Sequence, residues 1–178
     1  MRELVYSVAT SLDGFIAGSN GEYDWIIHDP AIDFGEIFRQ FDTAVMGRNC
    51  YQGMLREGHS PKELGMKIYV ASTALDPALH RDVTIVSSDL PRVVAELKGE
   101  SGKSIWLFGG GVTFRSLLDA GLVDRVQVSL IPILLGGGVP LVPPGRRWPL
   151  TLKNSRTFPS GIISATYCIP SDRRSGTQ

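Results

Sequence analysis

The sequence predicts a single α/β domain of three layers: a mixed, mostly parallel β-sheet with helices on both faces and an antiparallel hairpin at the C-terminus. Three observations predict this class. The 178 residues suit one domain, with 43% hydrophobic and 20% charged residues as in globular proteins. Strand-like and helix-like runs alternate as far as Asp124, which is typical of a parallel sheet. Beyond Asp124, strand-like runs follow one another without a helix between them. We assign residues 1–170 to this domain and expect residues 171–178, which are polar, to be disordered.

The first strand is predicted from Leu4 to Thr10, where apolar residues alternate with polar ones. A loop follows from Ser11 to Trp25 and contains the turn Asp13-Gly14. Long loops between regular elements are often functional lids, although a flexible surface excursion is the simpler interpretation.

Asp29-Pro30 predicts the start of the first helix, because Asp is a good N-cap and Pro suits the first helical position. Four aromatic and aliphatic residues then fall on one helical face: Phe34, Ile37, Phe38 and Phe41. Asp33 lies at the edge of that face. A carboxylate there could border a cleft with a raised pKa, and a solvated surface acid is the alternative.

Two short buried strands are predicted next, Thr43 to Met46 and Lys67 to Ala71. Gly47-Arg48 follows the first, so Arg48 lies where ligands bind in open α/β sheets unless it pairs with a nearby acid. Ser72-Thr73 follows the second, and these hydroxyls either hold phosphate oxygens or cap a turn.

The glycine run 109–111 joins the apolar strand 105–108 to an amphipathic helix that ends near Gly121. Backbone N–H groups and a helix N-terminus meet at such a turn, where a phosphate can bind. A tight turn that binds nothing is the alternative, because the spaced G-x-G-x-x-G fingerprint is absent.

The remaining elements complete the sheet. A strand at 83–86 and a helix at 90–98 precede the glycine run, and the C-terminal part predicts a strand at 125–133 and a hairpin of 150–158 with 162–169 around Pro159-Ser160-Gly161.

Composition excludes several functions. The formal net charge is zero and no long basic run occurs, so nucleic-acid binding has no support. No apolar run reaches the length of a membrane span, and the N-terminus lacks the layout of a signal peptide, so we expect a cytoplasmic protein. Cys50 and Cys168 have no metal-ligand spacing, and the three histidines lie far apart, so we expect no metal.

Five stretches together resemble the dihydrofolate reductase superfamily, in particular the reductase domain of the bifunctional riboflavin-biosynthesis deaminase–reductase. The resemblance covers roughly residues 2–170. The stretches are Ala9 with Ser11-Leu12-Asp13-Gly14-Phe15-Ile16-Ala17, Met46-Gly47-Arg48-Asn49-Cys50-Tyr51, Val70-Ala71-Ser72-Thr73, Phe108-Gly109-Gly110-Gly111-Val112 and Leu134-Leu135-Gly136-Gly137-Gly138-Val139-Pro140-Leu141.

The resemblance implies a dihydrofolate-reductase-like fold and an NADPH-dependent reductase, of the dihydrofolate or 5-amino-6-(5-phosphoribosylamino)uracil reductase type. The implied cofactor residues are, in chain order, Ala9 at the nicotinamide carboxamide, Ile16 at the nicotinamide, Gly47, Arg48 at the 2′-phosphate, Ser72 and Thr73 along the adenosine phosphate, and Gly109, Gly110, Gly111, Val112 and Thr113 at the pyrophosphate. It also implies a cis peptide bond between Gly109 and Gly110, which costs about 3 kcal/mol without proline. A homodimer is expected, with the C-terminal hairpin as a pairing edge.

Two departures from the family pattern affect function. Cys50 stands where the family usually has Thr, and a thiol is a poorer donor than a hydroxyl. The acid that holds the pteridine in dihydrofolate reductases has no direct counterpart, because Asp29 and Asp33 bracket its place. We expect hydride transfer to a C=N or C=O group of a pterin-like or pyrimidine-like heterocycle, with Asp13 or Asp33 as candidate catalytic residues and water as an equal proton donor. The alternative is a non-catalytic nucleotide-binding protein that keeps the fold.

Overall fold

The computed structural model describes residues 1–170 and contains one eight-stranded sheet, as predicted. The expected disorder of residues 171–178 falls outside the described residues. The strand order is β5-β4-β3-β6-β1-β7-β10-β9. The strands are β1 (Leu4–Ser11), β2 (Phe15–Ala17), β3 (Phe41–Gly47), β4 (Lys67–Ala71), β5 (Thr84–Val86), β6 (Ser104–Gly109), β7 (Arg125–Ile131), β8 (Val139–Pro140), β9 (Thr151–Thr157) and β10 (Ile163–Cys168).

The predicted change from parallel to antiparallel pairing is confirmed. Neighbouring strands from β5 to β7 all pair in parallel, whereas β10 pairs antiparallel with both β7 and β9. β9 is one of the two edge strands, and all seven of its residues are exposed. The expectation of a homodimer through this edge stays a prediction.

Helices cover both faces of the sheet because successive strand residues point to opposite sides. The helices are α1 (Phe34–Arg39), α2 (Arg48–Arg56), α3 (Leu90–Gly99) and α4 (Gly111–Asp119). On one face Leu4 and Tyr6 pack with α3 and α4, and the Tyr6 ring stacks on Phe114 at 3.9 Å between centroids. On the other face Val5 packs with Tyr51 and other residues of α2.

The start of α1 differs from the prediction. Asp33, rather than Asp29, is the N-cap, and its carboxylate accepts a hydrogen bond from Glu36 N at 2.9 Å. Asp29 is instead 3% exposed and accepts hydrogen bonds from Ala31 N at 2.8 Å and Ser160 N at 2.9 Å. These bonds hold residues 29–32 in a turn, so the predicted N-cap role of Asp29 is wrong. The helix is shorter than its apolar pattern suggested, and Phe41 begins β3.

Two loops that the sequence left irregular contain a small second sheet. β2 in the loop 11–25 pairs antiparallel with β8 in the Gly/Pro loop that follows β7. Leu141 N adds a hydrogen bond to Gly14 O at 2.8 Å. Strands of two and three residues are too short for a readable period, so only the tertiary structure reveals them. The two loops therefore form one cover.

Among residues 1–170, no helix combines the length and apolarity that a membrane crossing requires.

Candidate functional site

A cleft of about 1800 Å³ opens at the carboxyl ends of the parallel strands, the place where ligands bind in open α/β sheets. The ends of β1, β3, β4, β6 and β7 all contribute to its lining. Every residue predicted to hold the cofactor lines this one cleft: Ala9, Ile16, Gly47, Arg48, Ser72, Thr73, Gly109, Gly110, Gly111, Val112 and Thr113. The structure thus brings together residues spread over a hundred positions of sequence.

Two helix N-termini meet in the centre of this cleft. α2 begins after Gly47 and α4 after Gly110, and neither helix has a side-chain hydrogen bond at its N-cap. A Cβ built on Gly110 would lie 3.9 Å from the Cα of Gly47, so the two caps are in contact distance. Because the first N–H groups of a helix lack intrahelical acceptors, two uncapped N-termini side by side offer several donors and two positive dipole ends to an anion.

Close packing requires glycine at both caps. A Cβ on Gly47 would lie 2.6 Å from the Thr113 hydroxyl, and one on Gly110 would lie 3.3 Å from it. Gly110 also has φ +94°, a conformation that other residues adopt at a cost. Glycine is required at position 111 for a different reason, because a Cβ there would lie 2.6 Å from Pro140 O. The glycines therefore let α2, α4 and the loop containing β8 approach one point.

The Gly109–Gly110 peptide bond is trans, and none of the described peptide bonds is cis. The cis bond implied by the family resemblance is therefore wrong for this structure. The positive φ of Gly110 makes the turn from β6 into α4 instead.

Arg48 is the first residue of α2 and is exposed. With residues 1–170 its guanidinium forms no ion pair and no hydrogen bond. The alternative that Arg48 pairs with a nearby acid therefore finds no support, and the side chain is available to an anionic ligand.

The Ser72 hydroxyl caps a turn, since it accepts hydrogen bonds from Ala74 N and Leu75 N, both at 3.1 Å. The residue is 8% exposed, whereas Thr73 beside it is exposed. The capping interpretation is therefore correct for Ser72, whose hydroxyl hydrogen can still be donated to a ligand.

Cys50 lies behind the glycine turn. A Cβ on Gly109 would come 2.8 Å from its sulfur atom, and burial raises the pKa of the Cys50 thiol to about 11. The group is therefore a protonated thiol at neutral pH, a weak donor beside the two helix N-termini.

Asp13 does not line the cleft. It accepts hydrogen bonds from Ser11 Oγ at 2.6 Å, Leu135 N at 3.1 Å and Gly136 N at 2.7 Å. The bond from Ser11 is the main reason why the pKa of Asp13 is lowered, and the two backbone bonds lower it further. These hydrogen bonds link the loop 11–25 to the loop after β7, so the observed contacts of the Asp13 carboxylate are structural.

Asp33 is also outside the cleft lining. Besides capping α1, its carboxylate lies 3.6 Å from the Arg39 guanidinium, with both side chains more than half exposed. The structure does not bring Asp13 and Asp33 together, and their catalytic roles stay predictions. In the part of the chain that the structure describes, no group of acidic, histidine or cysteine side chains could hold a metal ion.

The sequence analysis missed two features of the cleft. One is His80, which lines the cleft and whose Nδ1 lies 3.0 Å from the phenol oxygen of the buried Tyr51 behind it. The other is a row of aromatic rings, Phe34, Phe38, Trp106 and Phe108, which all line the cleft. We call this row the aromatic wall. Its signal in the sequence was aromatic residues in a strand that ends at the glycine turn.

Comparison with known proteins identifies relatives over most of the chain. Residues 2–164 match the family of the RibD C-terminal domain. The uncharacterized protein YyaP of Bacillus subtilis strain 168 is 34% identical over 93% of this chain and 94% of its own length. The riboflavin biosynthesis protein RibD of Corynebacterium ammoniagenes is 26% identical, and the match spans 74% of this chain but 43% of that protein.

Solved structures share the fold. A protein from Shewanella sp. PV-4, provisionally assigned to riboflavin biosynthesis, has a TM-score of 0.80 and 29% identity, with 96% of this chain and 99% of that chain covered. The Thermotoga maritima diaminohydroxyphosphoribosylaminopyrimidine deaminase/5-amino-6-(5-phosphoribosylamino)uracil reductase has a TM-score of 0.68 and 18% identity. That match covers 95% of this chain and 57% of the Thermotoga chain, and it shows the fold alone.

Proposed function

The chain belongs to the RibD C-terminal domain family, and we propose that it is an NADPH-dependent reductase. The proposed reaction transfers a hydride to a C=N or C=O carbon of a pterin-like or pyrimidine-like heterocycle, of the kind found in riboflavin or folate pathways. NADPH supplies the hydride, and the protein binds and orients the reactants and excludes water.

The observation that carries this proposal is the pair of uncapped helix N-termini at Gly47 and Gly110. A dinucleotide pyrophosphate carries two adjacent phosphates, and two helix N-termini in contact distance match that charge. Thr113 adds a hydroxyl between the two caps. A single phosphate would need only one of these ends.

Arg48 supports the preference for NADPH over NADH. It begins the same helix whose N-terminus faces the pyrophosphate position, and it is free of ion pairs with residues 1–170. A guanidinium binds a phosphate with two parallel hydrogen bonds, so it suits the 2′-phosphate. In this proposal Thr73 and the hydroxyl of Ser72 face the adenosine side.

The nicotinamide end is proposed at Ala9 and Ile16. Ala9 lies in β1 beside β7, and Ile16 lies in β2, within the cover formed by the loops 11–25 and 134–144. This cover is suited to shielding the hydride-transfer site from water. Because Asp13 and Asp33 do not line the cleft, we propose water as the proton donor.

The experiment is a calorimetric titration of NADPH and NADH into the wild-type protein and the Arg48→Ala variant. We expect wild-type protein to prefer NADPH, and the variant to lose about tenfold to a hundredfold in NADPH affinity, because a hydrogen-bonded charged pair contributes about 1.5–3 kcal/mol. NADH affinity should stay unchanged, which serves as the internal control. Equal wild-type affinities for the two cofactors would remove Arg48 from the cofactor assignment.

A non-catalytic nucleotide-binding protein is the second candidate. The engagement of Asp13 and Asp33 in structural contacts favours it, since neither of these two candidate catalytic carboxylates lines the cleft. The discriminating result is NADPH binding without NADPH oxidation across a panel of pterins, pyrimidines and ribitylaminopyrimidines.

A further inference from the structure

The aromatic wall forms a continuous surface in the cleft that runs from α1 to the end of β6, just before the glycine turn. The ring centroids of Phe34 and Phe38 are 6.3 Å apart, those of Phe38 and Trp106 5.3 Å, and those of Trp106 and Phe108 4.6 Å. Each step lies within or near the range of favourable aromatic pairs. All four rings line the cleft, so their outer surfaces face the space that a second ligand would fill.

The wall is both fixed and open. Trp106 is 8% exposed, and its indole N–H donates to Ser7 O at 3.0 Å, which sets the ring orientation. Phe34 and Phe38 are 39% and 38% exposed although they belong to an apolar helix face. Exposed aromatic surface in a cleft is unfavourable in water and becomes favourable when a flat ligand covers it.

Among residues 1–170, no carboxylate of α1 or β6 lines the cleft beside the wall. The described acids in the cleft lining are Glu63, which pairs with His59 at 3.4 Å, and Asp89, which caps α3. Neither residue belongs to α1 or β6, the elements that carry the wall. Asp33 and Glu36, the acids nearest to Phe34 and Phe38 in sequence, do not line the cleft, and the buried Asp29 is held by the backbone N–H groups of Ala31 and Ser160.

From this geometry we infer that the hydride acceptor is a planar, fused-ring heterocycle, bound by contact with the aromatic wall rather than by an ion pair with a carboxylate. This inference rests on the proposed function, because it concerns the substrate half of the same cleft. The exposed rings of Phe34 and Phe38, with centroids 6.3 Å apart, offer more surface than a single six-membered ring can cover, which favours a fused system over a monocyclic pyrimidine. Without a carboxylate, paired amino donors on the ligand have no charged acceptor.

The test uses calorimetric titration of three probes into the NADP⁺-loaded protein: 2,4-dioxopteridine, uracil and 2,4-diaminopteridine. We expect the dioxopteridine to bind at least about tenfold more tightly than uracil, because of its larger covered area. We expect the diaminopteridine to bind within about threefold of the dioxopteridine. Equal affinity for uracil, or a tenfold advantage for the diamino compound, would overturn the inference.

A matched pair of variants links this preference to the wall. Phe38→Leu keeps an apolar side chain but removes the ring, and should weaken dioxopteridine binding by about threefold to tenfold. Leu79→Ala is the control, because Leu79 is 78% exposed and lies outside the cleft lining. Unchanged affinity in Phe38→Leu contradicts the inference. If Phe38→Leu does not fold, the three-probe comparison in the wild-type protein still decides.

NADPH titrations in the same samples separate the two claims. If NADPH binds normally but uracil binds as tightly as the dioxopteridine, or the diaminopteridine binds tenfold more tightly, the inference about the wall is wrong and the reductase proposal stands. Absent NADPH binding, together with ring-dependent dioxopteridine binding to the cofactor-free protein, removes the reductase proposal and supports the wall as a ring-binding surface.

Discussion

The two halves of the cleft are built in different ways. The half that we propose binds NADPH, which we call the cofactor half, consists mainly of backbone: two helix N-termini, glycines that allow close packing, and the Arg48 guanidinium, which has no ion pair among residues 1–170. The half that we propose binds the substrate, the substrate half, consists of side chains, chiefly the aromatic wall, which α1 and β6 bring together. Backbone sites constrain the sequence tightly because few residues fit them, whereas an apolar wall can be built from many residue combinations. We therefore expect the cofactor half to tolerate fewer substitutions than the substrate half.

The largest effect should follow from damage to the cofactor half. In Gly47→Ala the new methyl group would lie 2.6 Å from the Thr113 hydroxyl and push the two helix N-termini apart. We expect NADPH affinity to fall at least about tenfold and the protein to lose about 1–3 kcal/mol in free energy of unfolding. Calorimetry and denaturant unfolding measure the two quantities.

Gly99→Ala is the control for this variant, because a Cβ at Gly99 meets nothing within 4 Å and the residue does not line the cleft. A second substitution, Thr113→Ala, removes the clashing hydroxyl and should restore part of the stability lost in Gly47→Ala. A Gly47→Ala protein with unchanged NADPH affinity would break the distinction between the two halves.

A smaller effect on function is expected from weakening the contact between Asp13 and the loop after β7, which joins the two loops of the cover. Asp13→Asn keeps the shape of the side chain but replaces a charged acceptor of the Leu135 and Gly136 N–H groups. We expect faster amide hydrogen exchange at those two residues and a turnover reduced by about threefold, since a neutral amide oxygen is a weaker acceptor than a carboxylate and the loop keeps its β2–β8 pairing.

Asp33→Asn is the matched control for that measurement. Asn is as good an N-cap as Asp, so α1 should keep its cap and turnover should stay within about twofold. If Asp33→Asn lowered turnover more than Asp13→Asn, Asp33 would regain the catalytic role that the sequence suggested.

The difference between the halves also explains what the sequence could predict. The change from parallel to antiparallel pairing after Asp124 follows from local sequence patterns. The meeting of Gly47, Arg48 and the glycine turn at one edge of the sheet also follows, because each comes directly after a strand and the carboxyl ends of parallel strands lie at the same edge. The contacts of Asp13, Asp29 and Asp33 could not be predicted in this way, because each carboxylate accepts a hydrogen bond from a distant or capping backbone N–H group whose position depends on tertiary structure. The short strands β2 and β8 could not be predicted either, because three and two residues are too few to show a period. The cis bond at Gly109 was carried over from the family resemblance, and local residue patterns gave no independent support for it.

The wall was missed for a related reason. Trp106 and Phe108 were interpreted as part of an apolar strand, and Phe34 and Phe38 as part of the apolar face of a helix. Apolar periodicity marks which residues avoid water, but it does not distinguish a core from an apolar cleft.

The measurement that tests the central claim most directly is amide hydrogen exchange with and without NADPH. The account predicts that NADPH slows exchange at two separate segments, residues 47–50 and 110–113, which are the N-termini of α2 and α4, while the edge strand β9 is unaffected. Protection at only one of these segments, or at neither, would contradict a pyrophosphate site formed by the two helix N-termini together.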